Sequence, residues 1–161
     1  MPSFTTRAAR LDDAEELAAV HTQSWKETYT GLFPEQAWSE ESRLRRETMW
    51  NELLTDSNTT TVVAEINSRI IGIAHAQHNR DEAALPSKEL AMIYVLTEAH
   101  GTGAGQALID SALGGAAASV WVLEQNPRAR SFYARNRFMY DGTVRAMDFD
   151  PGIRELRLVR T

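Results

Sequence analysis

Glu89-Leu90-Ala91-Met92-Ile93-Tyr94-Val95-Leu96-Thr97-Glu98-Ala99-His100-Gly101-Thr102-Gly103-Ala104-Gly105-Gln106-Ala107-Leu108 is the stretch on which the fold turns. Its first part, Leu90 to Leu96, is apolar, partly β-branched and aromatic, and reads as a buried strand. Three glycines follow within five positions, and Gln106 to Leu113 reads as a helix that Gly114 and Gly115 stop. Strand, glycine-rich turn, helix is an arrangement that offers unpaired backbone N–H groups to an anion at a helix N-terminus. Glycine lets such a turn approach a phosphate without a Cβ in the way. A P-loop is excluded, because no Gly-Lys-Ser/Thr closes the turn. A dinucleotide fingerprint needs its third glycine where Gln106 stands, although Glu124 lies near the spacing of a ribose-binding acid. That reading, a nicotinamide-dependent oxidoreductase, is weakened and stays open beside a plain connection without a ligand.

Outward from the turn, the period of the sequence gives the other elements. Val120 to Leu123 is a short buried strand, and Asn126 to Arg135 a helix with Pro127 at its first position. Met139 to Met147 and Ile153 to Val159 read as a closing antiparallel pair. Upstream, Thr60 to Ile66, the turn Asn67-Ser68 and Ile70 to Ala76 form a hairpin. Asn79 to Ser87 is a polar loop. Ser3 to Ala9 is an edge strand, and Asp12 is expected to cap a helix that runs to about Tyr29, where Gly31 and Pro34 break it. A second helix, Ser39 to Leu54, starts on Ser39 as cap, with Leu44, Met49 and Leu53 as its apolar stripe. The order is strand, two helices, three strands, helix, strand, helix, two strands, and it predicts one mixed α/β domain over 1–161.

Composition narrows the class. The chain has 43% hydrophobic and 24% charged residues, which predicts a folded globular domain over most of its length. A net charge of -5 without a Lys/Arg cluster disfavours nucleic acid as a partner. Cysteine is absent, which removes disulfides, zinc-thiolate sites and a thiol nucleophile. No apolar stretch is long enough to span a bilayer and no leader segment is visible, so the expectation is a cytoplasmic protein that binds neither membrane nor metal.

Together these motifs resemble the GNAT family of N-acetyltransferases. In that family a strand ending in a Tyr-Val pair leads to a glycine turn and a helix, as at Glu89 to Leu108. Val120-Trp121-Val122-Leu123-Glu124-Gln125-Asn126-Pro127-Arg128-Ala129-Arg130-Ser131-Phe132-Tyr133 is similar to its next motif of strand, Asn, helix and Phe-Tyr. Val20-His21-x-x-Ser24-Trp25-x-x-x-Tyr29-x-Gly31-Leu32-x-Pro34 looks like the signature of a GNAT subgroup. The likeness spans nearly the whole chain, and three motifs in the right order outweigh any one alone. Three positions depart from it. His100 stands where Arg or Gln is usual, Thr97 replaces a frequent Pro, and Arg137 sits where a Gly commonly precedes Phe138, which predicts a distorted turn.

The resemblance implies a mostly antiparallel, twisted central sheet flanked by helices and splayed at an acetyl-CoA site, and acetyl transfer to an amine of a small molecule or peptide. The CoA diphosphate would lie on the turn formed by His100, Gly101, Thr102, Gly103, Ala104, Gly105 and Gln106. The pantetheine arm would pair with Ile93 and Val95, with Tyr94 between them, and Asn126 would contact that arm or cap its own helix. Tyr133 matches the family's tyrosine acid, against which stands a plain packed aromatic. Glu89 shares a strand face with Ala91, Ile93 and Val95, about two pleats from the thioester contact at ~3.3 Å per residue. It is the candidate base; the competing reading is a charged strand end beside Lys88. His21, His75 and His78 are further titratable candidates, with His21 read as structural. Trp25 and Tyr29 are expected to line the acceptor pocket, which the first two helices and the 79–87 loop would shape. A catalytically silent acyl-CoA-binding module is the alternative on the same fold. A homodimer paired through an exposed last strand, Ile153 to Val159, is also expected.

Overall fold

The computed structural model describes residues 3–80 and 86–161, so most of the predicted 79–87 loop lies outside the described residues. Four α-helices and seven strands are described: β1 Thr5–Ala8, α1 Ala14–Tyr29, α2 Glu40–Thr55, β2 Thr60–Ile66, β3 Arg69–His78, β4 Lys88–Val95, α3 Ala104–Leu113, β5 Ala118–Leu123, α4 Pro127–Arg135, β6 Met139–Met147 and β7 Asp150–Arg160. Hydrogen bonding orders the strands β1-β2-β3-β4-β5-β7-β6, mostly antiparallel, with β4 and β5 parallel. The described residues cluster in two compact units, 3–76 with 92–114, and 77–80 and 86–91 with 115–161.

In the first unit, β2 and β3 form the predicted hairpin, and Asn67 and Ser68 both adopt positive φ (52° and 63°) in its turn. β1 is the edge strand and pairs antiparallel with β2. Gly72 on β3 explains how close α3 can come, since a Cβ there would sit 2.9 Å from Leu108 Cδ1 and 3.3 Å from the Tyr94 carbonyl oxygen. Three residues along the same strand, His75 meets Trp50 of α2 with ring centroids 5.7 Å apart. Because alternate strand residues point to opposite faces, α3 covers one face of this sheet and α2 the other.

Two helix details differ from expectation. Asp13, not Asp12, is the residue before α1, and no side-chain hydrogen bond caps that helix. Its carboxylate accepts the Arg10 N–H at 2.7 Å and the Arg7 guanidinium at 2.8 Å, and the Arg7 contact keeps its pKa low. A single 3-10 turn, Leu11–Asp13, moves the cap position one residue on. In α2 the cap Ser39 is as predicted, accepting the Ser42 N–H at 3.2 Å. The Leu44, Met49, Leu53 stripe is not what the helix buries. Leu44 is exposed, and Trp50, at 0% exposure, is the anchor. An indole removes far more apolar area from water than one leucine, and so fixes the helix rotation.

In the second unit β7 lies between β5 and β6, antiparallel to both. Ile153, Leu156 and Leu158 are accordingly buried with Val120 and Val122. The exposed last strand expected for a homodimer is therefore β6, not β7, because the closing pair folds back to place its second member inside the sheet. β6 leaves Met139 75% and Tyr140 51% exposed. The turn after α4, expected to be distorted at Arg137, keeps the regular helix-ending geometry. Arg137 adopts φ 69°, its N–H donates to the Ala134 carbonyl at 3.1 Å, and the Phe138 N–H donates to the Tyr133 carbonyl at 3.0 Å. An arginine occupies the conformation that glycine usually supplies.

Candidate active site

The glycine turn belongs to the first unit. β4 ends at Val95, a 3-10 turn covers Thr97–Ala99, and α3 begins at Ala104. Gly101 and Gly103 have φ of 78° and 91°, the left-handed region that favours glycine. A Cβ would meet nothing within 4 Å at Gly101 and only the Phe4 ring, at 3.9 Å, at Gly103, so backbone conformation rather than crowding calls for glycine there. Thr102 shapes the inside of the turn: its hydroxyl donates to the Ala99 carbonyl at 2.7 Å and accepts the Ala104 N–H at 3.2 Å. The amides of Gly101, Gly103 and Gly105 meet no acceptor among the described residues. Exposed donors at the positive end of a helix are a ready anion site.

His100 is anchored within the protein. Its Nε2 lies 2.9 Å from the Val95 carbonyl oxygen, tying the turn to the end of β4. Thr97 also acquires a role that a proline could not fill, because its N–H donates to Glu27 of α1 at 2.9 Å and its hydroxyl to the same carboxylate at 3.1 Å. Against a desolvation that would raise it, these hydrogen bonds hold the exposed Glu27 below the usual carboxylate range.

An aromatic cluster spans α1, α2 and β4 of the same unit. The predicted pocket residues Trp25 and Tyr29 do come together, at 5.3 Å between ring centroids, and Phe33 joins both at 5.2 and 4.6 Å. His21 stacks on Tyr94 of β4 at 4.6 Å, and its Nδ1 accepts the Trp50 indole N–H at 3.3 Å. Burial, with the nearby Arg46 charge, pushes its pKa down to about 3, so His21 is a neutral core residue. His75 is fully buried with Nδ1 2.8 Å from the Thr61 hydroxyl.

Sequence reading missed Arg46. This guanidinium lies 4.8 Å from the Trp25 ring centroid and donates to the Thr22 hydroxyl at 3.0 Å. It is half-buried, and burial lowers its pKa. A charged residue in a polar helix looks like a solvated face. The available cue was that Arg46 stands one turn before Trp50 and so shares its inward side.

The second unit holds the other candidates. Asn126 Oδ1 accepts the Ala129 N–H at 3.1 Å and caps α4, while its side-chain amide N–H groups meet no acceptor among the described residues. Tyr133 is 6% exposed, with Phe132 and Phe138 at 5.5 and 5.8 Å between centroids. Glu89 is half-buried opposite Ser119, and Gln77 Nε2 lies 3.5 Å from Oε1. Burial raises its pKa against the pull of Arg145 and Arg80. A groove of about 580 Å³ beside α4, lined by Arg130, Phe138, Val144 and Arg154 among others, includes none of the predicted site residues. Among the described residues no group of three or more His, Asp or Glu is placed to hold a metal ion, and no helix is long and apolar enough to cross a membrane.

The profile of the acetyltransferase (GNAT) domain matches residues 57–139, from the β2–β3 hairpin to the turn after α4. An uncharacterized N-acetyltransferase of Mycobacterium tuberculosis is 33% identical over 140 residues, 83% of this chain and 87% of the relative. One of Bacillus subtilis is 30% identical over 129 residues, covering 76% and 73%. Among solved structures, the PaiA N-acetyltransferase of Thermoplasma acidophilum, crystallised in complex with coenzyme A, has a TM-score of 0.76 at 21% identity, with 99% of each chain covered. The chain belongs to the GNAT acetyltransferase family, and it is an acyltransferase enzyme. The dinucleotide reading of the glycine turn is thereby set aside.

Proposed function

We propose that residues 1–161 form a single GNAT domain, working in the cytoplasm, that moves the acetyl group of acetyl-CoA to a primary amine of a small molecule or peptide by direct attack in a ternary complex. The observation that carries this reading is the set of acceptor-free amides at Gly101, Gly103 and Gly105, at the start of α3 in a chain of this family. Their fit to a diphosphate is the fit of exposed N–H donors at a helix N-terminus to a dianionic group. When bound, acetyl-CoA supplies a thioester whose carbonyl an amine attacks and whose thiol departs. In the first unit, the turn from His100 to Gln106 holds the diphosphate mainly through its backbone. The β4 segment Ile93, Tyr94, Val95 pairs with the pantetheine arm, and an amide there donates to the developing oxyanion.

In the second unit, Asn126 turns its free side-chain N–H groups toward the arm while its Oδ1 caps α4. Tyr133 holds the proton that the leaving sulfur takes. Glu89, its pKa raised by burial, is the base that relieves the incoming ammonium of a proton, directly or through water. Trp25 and Tyr29 line the acceptor end. Absence of cysteine agrees with an amine attacking directly rather than a thioester-linked enzyme. A thiol-release assay with acetyl-CoA and a panel of amines tests the reading. Turnover with at least one amine is expected, whereas calorimetric binding of acetyl-CoA without turnover across the panel would point to the silent binding module.

A further inference from the structure

Arg46 is a cation with an anchor. The other half-buried arginines of the first unit meet carboxylates: Arg7 pairs with Asp13 and Glu65, both at 2.8 Å, and Arg43 with Glu40 at 2.7 Å. Arg46 has no carboxylate partner among the described residues. One of its five N–H donors, on Nη1, goes to the Thr22 hydroxyl, and its flat face rests on Trp25. Two contacts from α1 thus fix a guanidinium of α2, leaving the Nε and Nη2 edge for a second ligand. Removing a charge from water without a partner is costly, and folded chains seldom do it without a use.

The surroundings say what would come to it. The Trp25 indole N–H is buried and meets no acceptor among the described residues, so a second unused donor lies beside the guanidinium. Tyr29 and Phe33 extend the aromatic wall from Trp25. On the other side His21, held neutral, touches both Trp25 (5.9 Å) and Tyr94 (4.6 Å), and Tyr94 lies between Ile93 and Val95. Donors without acceptors, an aromatic wall and no carboxylate partner among the described residues make a site for an anion of planar, two-oxygen shape.

Resting on the acetyltransferase reading above, we infer that Arg46, on Thr22 and Trp25, binds a carboxylate of the acceptor, so that the amine acetylated belongs to an amino-acid-type molecule with an apolar or aromatic side chain. Arg46 is then a specificity-determining residue. It fixes one end of the acceptor and leaves the amine as the free end, and it takes no proton in the reaction.

Matched acceptors decide the matter: phenylalanine against phenylalaninamide, and leucine against leucinamide, with the full chain saturated in acetyl-CoA. The carboxylate member of each pair is expected to show the higher kcat/KM, by roughly ten- to a hundredfold, the worth of a charge-assisted bidentate pair. Arg46→Gln should lower kcat/KM for phenylalanine roughly tenfold more than for phenylalaninamide, mostly through KM. Arg46→Lys, which keeps the charge and loses the fork, should restore part of the difference. In a second measurement that needs no turnover, millimolar phenylalanine should shift the Arg46 Nε–H signal in NMR and phenylalaninamide should not. Equal rates within each pair, an equal loss for both acceptors in Arg46→Gln, or an unmoved Nε–H signal would each overturn the inference. The acetyltransferase reading fails separately, if acetyl-CoA binds and no amine with or without a carboxylate releases thiol.

Discussion

In the proposed mechanism Tyr133 is the acid and Glu89 the base, and each role makes its own prediction. Tyr133→Phe keeps the ring that packs between Phe132 and Phe138 and removes only the hydroxyl. Thiol release should fall by roughly a hundredfold or more, the usual worth of a placed general acid, with acetyl-CoA affinity little changed. An unchanged kcat would make Tyr133 a packing residue. Glu89 has a folded pKa above its ordinary 4.5 because burial disfavours the carboxylate. Its contribution to stability is therefore present below 4.5 and lost as pH rises through the raised value. Glu89→Gln should gain stability relative to the parent chain on going from acid to neutral pH in thermal melts. It should also lose the acid limb of the rate profile, since a base must be unprotonated to act. An identical pH profile in the variant would remove Glu89 from the mechanism.

At the scale of elements, two positive-φ positions behave in opposite ways. Gly103 (φ 91°) lies in the turn proposed to hold the diphosphate, so Gly103→Ala should cost about 1–2 kcal/mol of folding stability and weaken acetyl-CoA binding, read by melting and calorimetry. His100→Ala is a useful contrast. Its imidazole bonds back to Val95, so affinity should fall much less than in Gly103→Ala if the backbone supplies the donors. Arg137 (φ 69°) ends α4 in a conformation that suits glycine, and its side chain is exposed. Arg137→Gly should therefore stabilise the chain by about 1 kcal/mol, a rise of roughly 2–4 °C in Tm. A fall in Tm would mean that the guanidinium does something beyond capping the helix.

For the molecule as a whole, what could be read from the sequence was what local chemistry fixes. Element order, the Asn67-Ser68 hairpin turn, the Ser39 and Asn126 caps and the glycine turn all follow from residues within a few positions of one another. What escaped depends on partners distant in sequence. Asp13 precedes α1 without capping it through its side chain, its carboxylate being held by Arg7 and the Arg10 N–H, and Trp50 displaced the leucine stripe of α2 because an indole fills the space against His21 and His75. β7 became internal through its pairing with β5, which no local pattern announces. Arg46 escaped for the same reason, since its meaning comes from Thr22 and Trp25 on another helix. The exposed apolar residues on β6, Met139 and Tyr140, mark the edge through which a homodimer would form, and Tyr140→Lys should lower any self-association seen in sedimentation.

The most direct measurement is an NMR titration of the amide-labelled chain with acetyl-CoA. If bare N–H groups at the start of α3 hold the diphosphate, the Gly101, Gly103 and Gly105 amide signals move further than those of the β2–β3 hairpin turn and saturate with the binding curve. Saturable binding that leaves those three signals in place, or no binding at millimolar acetyl-CoA, would contradict the account.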